Sequence, residues 1–79
     1  MRAIILTKAQ AETIRTRQGS EPGHALDPVE MDDGTFMLPE RCLNDPHHAA
    51  HRTYLNARSK RDVSDADFAA KRQEAAEKP

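Results

Sequence analysis

Apolar positions fall along the chain in short bursts separated by polar punctuation. Residues 2–6, Arg-Ala-Ile-Ile-Leu, form a brief run rich in β-branched side chains and predict a buried strand. Thr7 follows it, with Gln10 three residues on. In this capping box the hydroxyl accepts an early backbone N–H and the amide side chain reaches back. A helix is therefore expected from about Lys8 to Gln18, with Ala11 and Ile14 on its inner side and Gly19 as its stop. The stretch 19–24, Gly-Ser-Glu-Pro-Gly-His, reads as a loop.

The segment 26–39, Leu-Asp-Pro-Val-Glu-Met-Asp-Asp-Gly-Thr-Phe-Met-Leu-Pro, predicts a hairpin. Asp33-Gly34 suits a two-residue type I′ turn, in which both central residues take positive φ. That turn opposes Asp32 to Thr35, Met31 to Phe36, Glu30 to Met37 and Val29 to Leu38. Val29, Met31, Phe36 and Leu38 then share one sheet face. Pro28 opens its strand, where a missing donor is tolerable. Glu40–Asn44 reads as one short helical turn. Asp45-Pro46 predicts a fresh helix start, with Asp as N-cap and Pro at the first helical position, running to about Ala57. Residues 58–62, Arg-Ser-Lys-Arg-Asp, read as a basic connector. Ser64 starts a last helix, with Asp67 in a weaker acidic capping box and Val63 and Phe68 spaced as a hydrophobic staple. Residues 71–79 have almost nothing to bury and read as a polar tail, frayed or ordered by a partner.

The order β-α-β-β-α-α predicts a small two-layer α+β domain over residues 1–70. Its sheet has three strands, including the 26–38 hairpin, and its helices lie on one face. The first strand is expected to pair parallel to a hairpin strand through a right-handed crossover.

Composition narrows the function classes. A chain of 79 residues makes one domain and buries only about 60% of its extended surface. Aromatic residues are 4% of the chain and apolar ones 37%, so the core is small and aliphatic and an enclosed substrate pocket is not expected. The single cysteine rules out a disulfide within the chain. The first six residues are too short for the apolar region of a signal peptide, and no run approaches the ~20 apolar residues of a membrane span. The expected location is the cytosol or the interior of a particle.

Net charge is -1, but it is segregated. Residues 1–17 carry Arg2, Lys8, Arg15 and Arg17 against Glu12. Residues 18–40 carry Glu21, Asp27, Glu30, Asp32, Asp33 and Glu40 with no base, and residues 41–61 carry five bases against Asp45. Such blocks steer charged partners, although helices and hairpins also acquire them for local reasons.

Candidate chemistry concentrates in residues 42–55. His47 and His51 are four apart and share a face of an α-helix, with Cys42 just upstream. Cys42, His47 and His51, with His24 or Asp45 as a fourth ligand, make a tetrahedral zinc set on paper. Against it, Asp45 is wanted as the N-cap, the usual second pair of ligands is lacking, and no Glu follows His47 as in zinc proteases. Otherwise no cofactor is called for. A Cys42–His47 nucleophilic dyad has no oxyanion hole to serve, and a lone cysteine at a helix edge is commonly small core filler. Arg52, Tyr54, Arg58, Lys60 and Arg61 form a basic, aromatic-bearing stretch suited to binding a partner. The near-neutral pI argues against nucleic acid as that partner, and the helix macrodipole alone favours bases there.

The pattern Leu26-x-Pro28-Val29-x-x-x-Asp33-Gly34-Thr35-x-x-Leu38-Pro39, after a β-α start, resembles short proteins of phages and prophages in high-GC bacteria. The resemblance spans residues 1–55 and carries no assigned catalytic residues. It implies a phage accessory or virion-associated protein that acts by binding. The reading of the whole chain is thus a non-enzymatic protein–protein interaction module that engages a protein partner or assembles with itself, with no membrane and no small-molecule substrate. The alternatives are a small inhibitor of a host protein and a metal- or nucleic-acid-binding regulator.

Overall fold

The computed structural model describes residues 1–20 and 27–77. Strand β1 (Arg2–Leu6) leads into helix α1 (Lys8–Gln18). Strand β2 (Val29–Glu30) and strand β3 (Phe36–Pro39) form a hairpin. A 3-10 turn (Glu40–Asn44), a second 3-10 turn (Pro46–His51) and helix α2 (Arg52–Asn56) follow. Strand β4 (Lys60–Asp62) and helix α3 (Asp65–Glu77) end the described chain. Residues 21–24 of the predicted 19–24 loop, His24 among them, and Leu26 of the predicted hairpin lie outside the described residues.

The fold is α+β, as the sequence indicates, but the sheet has four strands rather than three, in the order β2-β3-β1-β4. All three pairings are antiparallel. The expected parallel crossover is therefore replaced by direct antiparallel pairing of β1 with β3. The fourth strand, β4, lies in the segment read as a basic connector.

The start of the chain behaves as its residues dictate. The Gln10 N–H donates to the Thr7 hydroxyl at 3.2 Å and the Thr7 N–H donates to Gln10 Oε1 at 2.9 Å, closing the capping box. Gly19 takes the left-handed conformation, φ 65°, and ends α1.

The hairpin register differs from expectation by one residue. Val29 faces Met37 and Glu30 faces Phe36, and the Met31 N–H donates to the Thr35 carbonyl at 2.8 Å. The connection is a three-residue loop: the Gly34 N–H donates to the Met31 carbonyl at 3.1 Å, and Gly34 alone has positive φ, 83°. A type I′ turn would force Asp33 into the left-handed region at a cost of about 1–2 kcal/mol. The longer loop gives that conformation to glycine only. Asp33 is then free to accept from the Thr35 N–H at 3.0 Å and from its hydroxyl at 2.6 Å.

A one-residue slip exchanges sheet faces. Phe36 and Leu38 join Ile4, Leu6, Ala11, Ile14, Cys42 and Leu55 under α1 and α2. Val29 and Met37 instead join Ala3 and Phe68 under α3, with Met31, Ile5 and Val63 packed alongside. Helices therefore cover both faces of the sheet, not one. The two central strands are apolar without alternation, as strands buried on both faces must be. Pro39 fits within β3 because its missing donor points to the side on which β2 has already ended.

Helix α3 starts as its capping residues predict. The Asp67 N–H donates to Ser64 Oγ at 3.3 Å, and Val63 and Phe68 meet in one cluster. Residues 71–77, read as the start of a polar tail, continue this helix to Glu77. Lys71 binds Asp32 of the hairpin loop and the Arg72 guanidinium stacks 4.7 Å from the Phe68 ring, so polar side chains fasten this stretch where apolar ones are lacking. No helix among the described residues is long and apolar enough to cross a membrane.

Candidate functional site

The histidine segment starts where the sequence places it. Asp45 caps it, accepting the His47 N–H at 2.9 Å, but its first turns are 3-10 rather than α. The His48 N–H donates to the Asp45 carbonyl at 3.0 Å, an i→i+3 bond. With three residues per turn, the residues that share a face are His48 and His51, not His47 and His51. His48 is fully buried and His51 nearly so. His47 stays outside, its side chain 75% exposed and its ring nitrogen 3.0 Å from the Asp45 carboxylate; the His47 backbone N–H first, and this ring contact second, keep that carboxyl below its usual pKa.

The proposed ligand set is accordingly divided. Cys42 is buried in the core, where burial pushes its thiol pKa up and holds the proton on. His51 faces inward and His47 outward. Among the described residues no three His, Cys, Asp or Glu side chains come together as a metal-holding group. Cys42 and His47, the two members of the nucleophilic dyad, likewise lie one buried and one exposed.

His48 instead joins α1. The Gln18 amide nitrogen lies 2.5 Å from His48 Nδ1. Ala11, Ile14 and Gln18 follow helical spacing, so the apolar face of α1 ends in this polar contact. Among the described residues, His48 Nε2 and Gln18 Oε1 are buried without a hydrogen bond. Burial lowers the His48 pKa, so the ring is neutral at pH 7.

The five residues read as a partner-binding stretch are also redistributed. Arg52 turns back and donates from Nε to the Leu43 carbonyl. Tyr54, 41% exposed, is the large apolar side chain that faces solvent among the described residues, and the Arg58 guanidinium sits 4.6 Å from its ring centroid. Lys60 reaches the Asn56 carbonyl at 2.9 Å, so Tyr54, Arg58 and Lys60 all gather at α2. Arg61 points through the other sheet face to Asp33, Nη1 to Oδ2 3.1 Å. That contact and the two Thr35 bonds, which weigh more, bring the Asp33 pKa down to about 2.

Sequence reasoning missed the main feature of this region, the free edge of β4. The strand pairs Arg2 with Asp62, Ala3 with Arg61 and Ile4 with Lys60. Met1 and Val63 exchange bonds at 2.7 and 2.8 Å, and the Ile5 N–H donates to the Ser59 carbonyl at 2.8 Å. Antiparallel ladders alternate, so Ser59, Arg61 and Val63 turn their main-chain groups toward β1, while Lys60 and Asp62 turn theirs away from the sheet. No strand among the described residues borders that side. The opposite edge, β2, is two residues long, begins beside Pro28 and packs against α3.

The clefts carry charges of both signs. One of about 510 Å³ lies between α1, β2 and α3, with Lys71 bound to Asp32 at its rim. Comparison with protein-family models, with curated proteins and with solved structures gives no match.

Proposed function

We propose that this chain is a non-enzymatic protein-interaction module whose docking edge is β4, flanked by Tyr54 and Arg58. The observation that carries the reading is the pair of outward-facing residues Lys60 and Asp62, whose N–H and C=O groups meet no strand in the described chain. An edge of this kind accepts an extended segment of a neighbour by main-chain pairing, with nearby side chains choosing the partner. Tyr54, exposed on the helix that leads into β4, supplies rigid apolar area, and Arg58 lies stacked on that ring, so little side-chain freedom is lost on contact.

The chemistry of the site favours contact over catalysis. The thiol of Cys42 is buried and protonated, His48 is enclosed and neutral, and His47 is occupied by Asp45. The resemblance of residues 1–55 to phage and prophage proteins suits an accessory or virion-associated component, which works by filling a place beside other chains. An inhibitor that captures a strand of a host protein would use the same edge.

A photo-crosslinking residue at position 60, in the full chain expressed in its host cell, tests this. A discrete crosslinked product is expected, lost in the Asp62→Pro background and not formed from the exposed control position Ala69. Asp62→Pro removes an outward donor and leaves the β1–β4 ladder intact. Equal labelling from both positions, or none from position 60, would remove the basis for the reading.

A further inference from the structure

We infer that the strand received by this edge is β4 of a second copy of the chain, paired about a two-fold axis at Arg61. This deepens the preceding reading and rests on it. The argument is one of register and charge. A two-fold axis through Arg61 sets Lys60 opposite Asp62 of the second copy, Asp62 opposite its Lys60, and Ser59 opposite its Val63. Lys60 and Asp62 are the residues whose main-chain groups point outward, so each facing pair exchanges both backbone bonds. Their side chains lie on one sheet face, and opposite charges placed directly opposite across antiparallel strands are stabilising.

Only this register achieves both things at once. Slipping it by one residue sets the inward-bonded Arg61 opposite an outward-facing neighbour and breaks the backbone match. Slipping it by two sets Lys60 or Asp62 opposite itself, with like charges in contact. The single conflict in the favoured register is Arg61 opposite Arg61. Each Arg61 is held on the far face by its own Asp33 at 3.1 Å, so the charges at the axis are already compensated. The paired sheets form one continuous eight-stranded sheet, twice the four strands of each chain. The isologous contact closes on itself and leaves β2, short and covered by α3, at both ends. A charged edge usually discourages pairing with other strands. Here the alternation Lys-Arg-Asp discourages most partners and suits its own inverse.

Sedimentation equilibrium of the purified full chain, with charge variants, decides the matter. The wild type is expected to approach twice its 8.9 kDa mass as concentration rises. Lys60→Asp sets two carboxylates against each other at both paired positions, and Asp62→Lys sets two ammonium groups against each other there. Each alone should weaken the dimer by about tenfold or more. An equimolar mixture of the two variants restores opposite charges at both positions and should associate as tightly as wild type, as should the double exchange K60D/D62K. Asp62→Pro should be monomeric, and circular dichroism verifies that each variant is folded. A wild type that stays monomeric to about 1 mM, or a dimer indifferent to these changes, would overturn self-pairing. Crosslinking from position 60 to a product of some other mass would then preserve the edge reading, whereas no product at all would remove both.

Discussion

Arg15 and Asp27 meet as a two-pronged pair across the gap between α1 and the start of the hairpin. Nε donates to Oδ1 at 2.8 Å and Nη2 to Oδ2 at 2.7 Å, and the Ser20 hydroxyl adds a third bond to Oδ1 at 2.8 Å. Asp27 is 2% exposed while the Arg15 side chain is 32% exposed, so the two partners are unequally placed for losing each other. Arg15→Met strands a buried carboxylate and should cost about 3 kcal/mol in urea unfolding. Asp27→Ala leaves a guanidinium that can turn to water and should cost less. Arg15→Met with Asp27→Leu should recover part of the single-variant loss. Equal costs for the two single variants would contradict this account.

Gly34 has φ 83° with nothing within 4 Å of where a Cβ would sit. Gly34→Ala should therefore cost about 1 kcal/mol from backbone strain alone, and Gly34→Asn less, since asparagine tolerates the left-handed region. A cost well above that in denaturant titration would mean that side-chain space, not backbone, sets the requirement.

Asp33 titrates at about 2 in the folded chain against 3.8 unperturbed, the Thr35 hydroxyl being the largest cause. A depressed carboxyl contributes stability that is present above about pH 4 and lost as pH falls toward 2. Thr35→Ala should raise the Asp33 pKa, read from the carboxyl carbon shift by NMR, and Asp33→Asn should flatten the acid limb of the stability profile.

His48 works in the neutral range. Its folded pKa lies below 6.5 because it is buried, so below that pH the unfolded chain binds the extra proton. Stability should be full above about pH 6.5 and should decline as pH falls from there through the folded pKa. His48→Gln should lose this decline while keeping a polar contact to Gln18. Denaturation midpoints at pH 7.5, 6 and 5 measure it, and an unchanged slope in the variant would assign the effect elsewhere.

Phe68 is the buried aromatic that joins α3 to Ala3, Val29 and Met37. Phe68→Ala should cost about 3–5 kcal/mol, most of the reserve of a domain this small. Amide exchange should accelerate first in α3. Uniform acceleration through α1 and the sheet would show that the two faces unfold as one unit.

Much of this architecture is legible before folding is considered. The Thr7–Gln10 box, the Gly19 stop, the Asp45 cap and the Ser64 cap are local devices, satisfied by neighbours within a few residues, and each is found where its residues require. The unbroken apolar runs of β1 and β3 carry a further message, that the sheet is covered on both faces. Tertiary structure decided the rest. The choice between two-residue and three-residue hairpin loops turned on backbone strain at Asp33, and a one-residue difference exchanged the faces of Val29 and Met31. The 3-10 geometry after Pro46 buried His48 in place of His47 and dispersed the apparent ligand cluster. β4 carries three charged residues and no apolar pattern, because an edge strand needs only a neighbour's backbone. Its existence depended on where β1, far away in sequence, came to lie. Local bonding rules are written residue by residue, whereas the free edge and the groups it presents arise only once distant segments have paired.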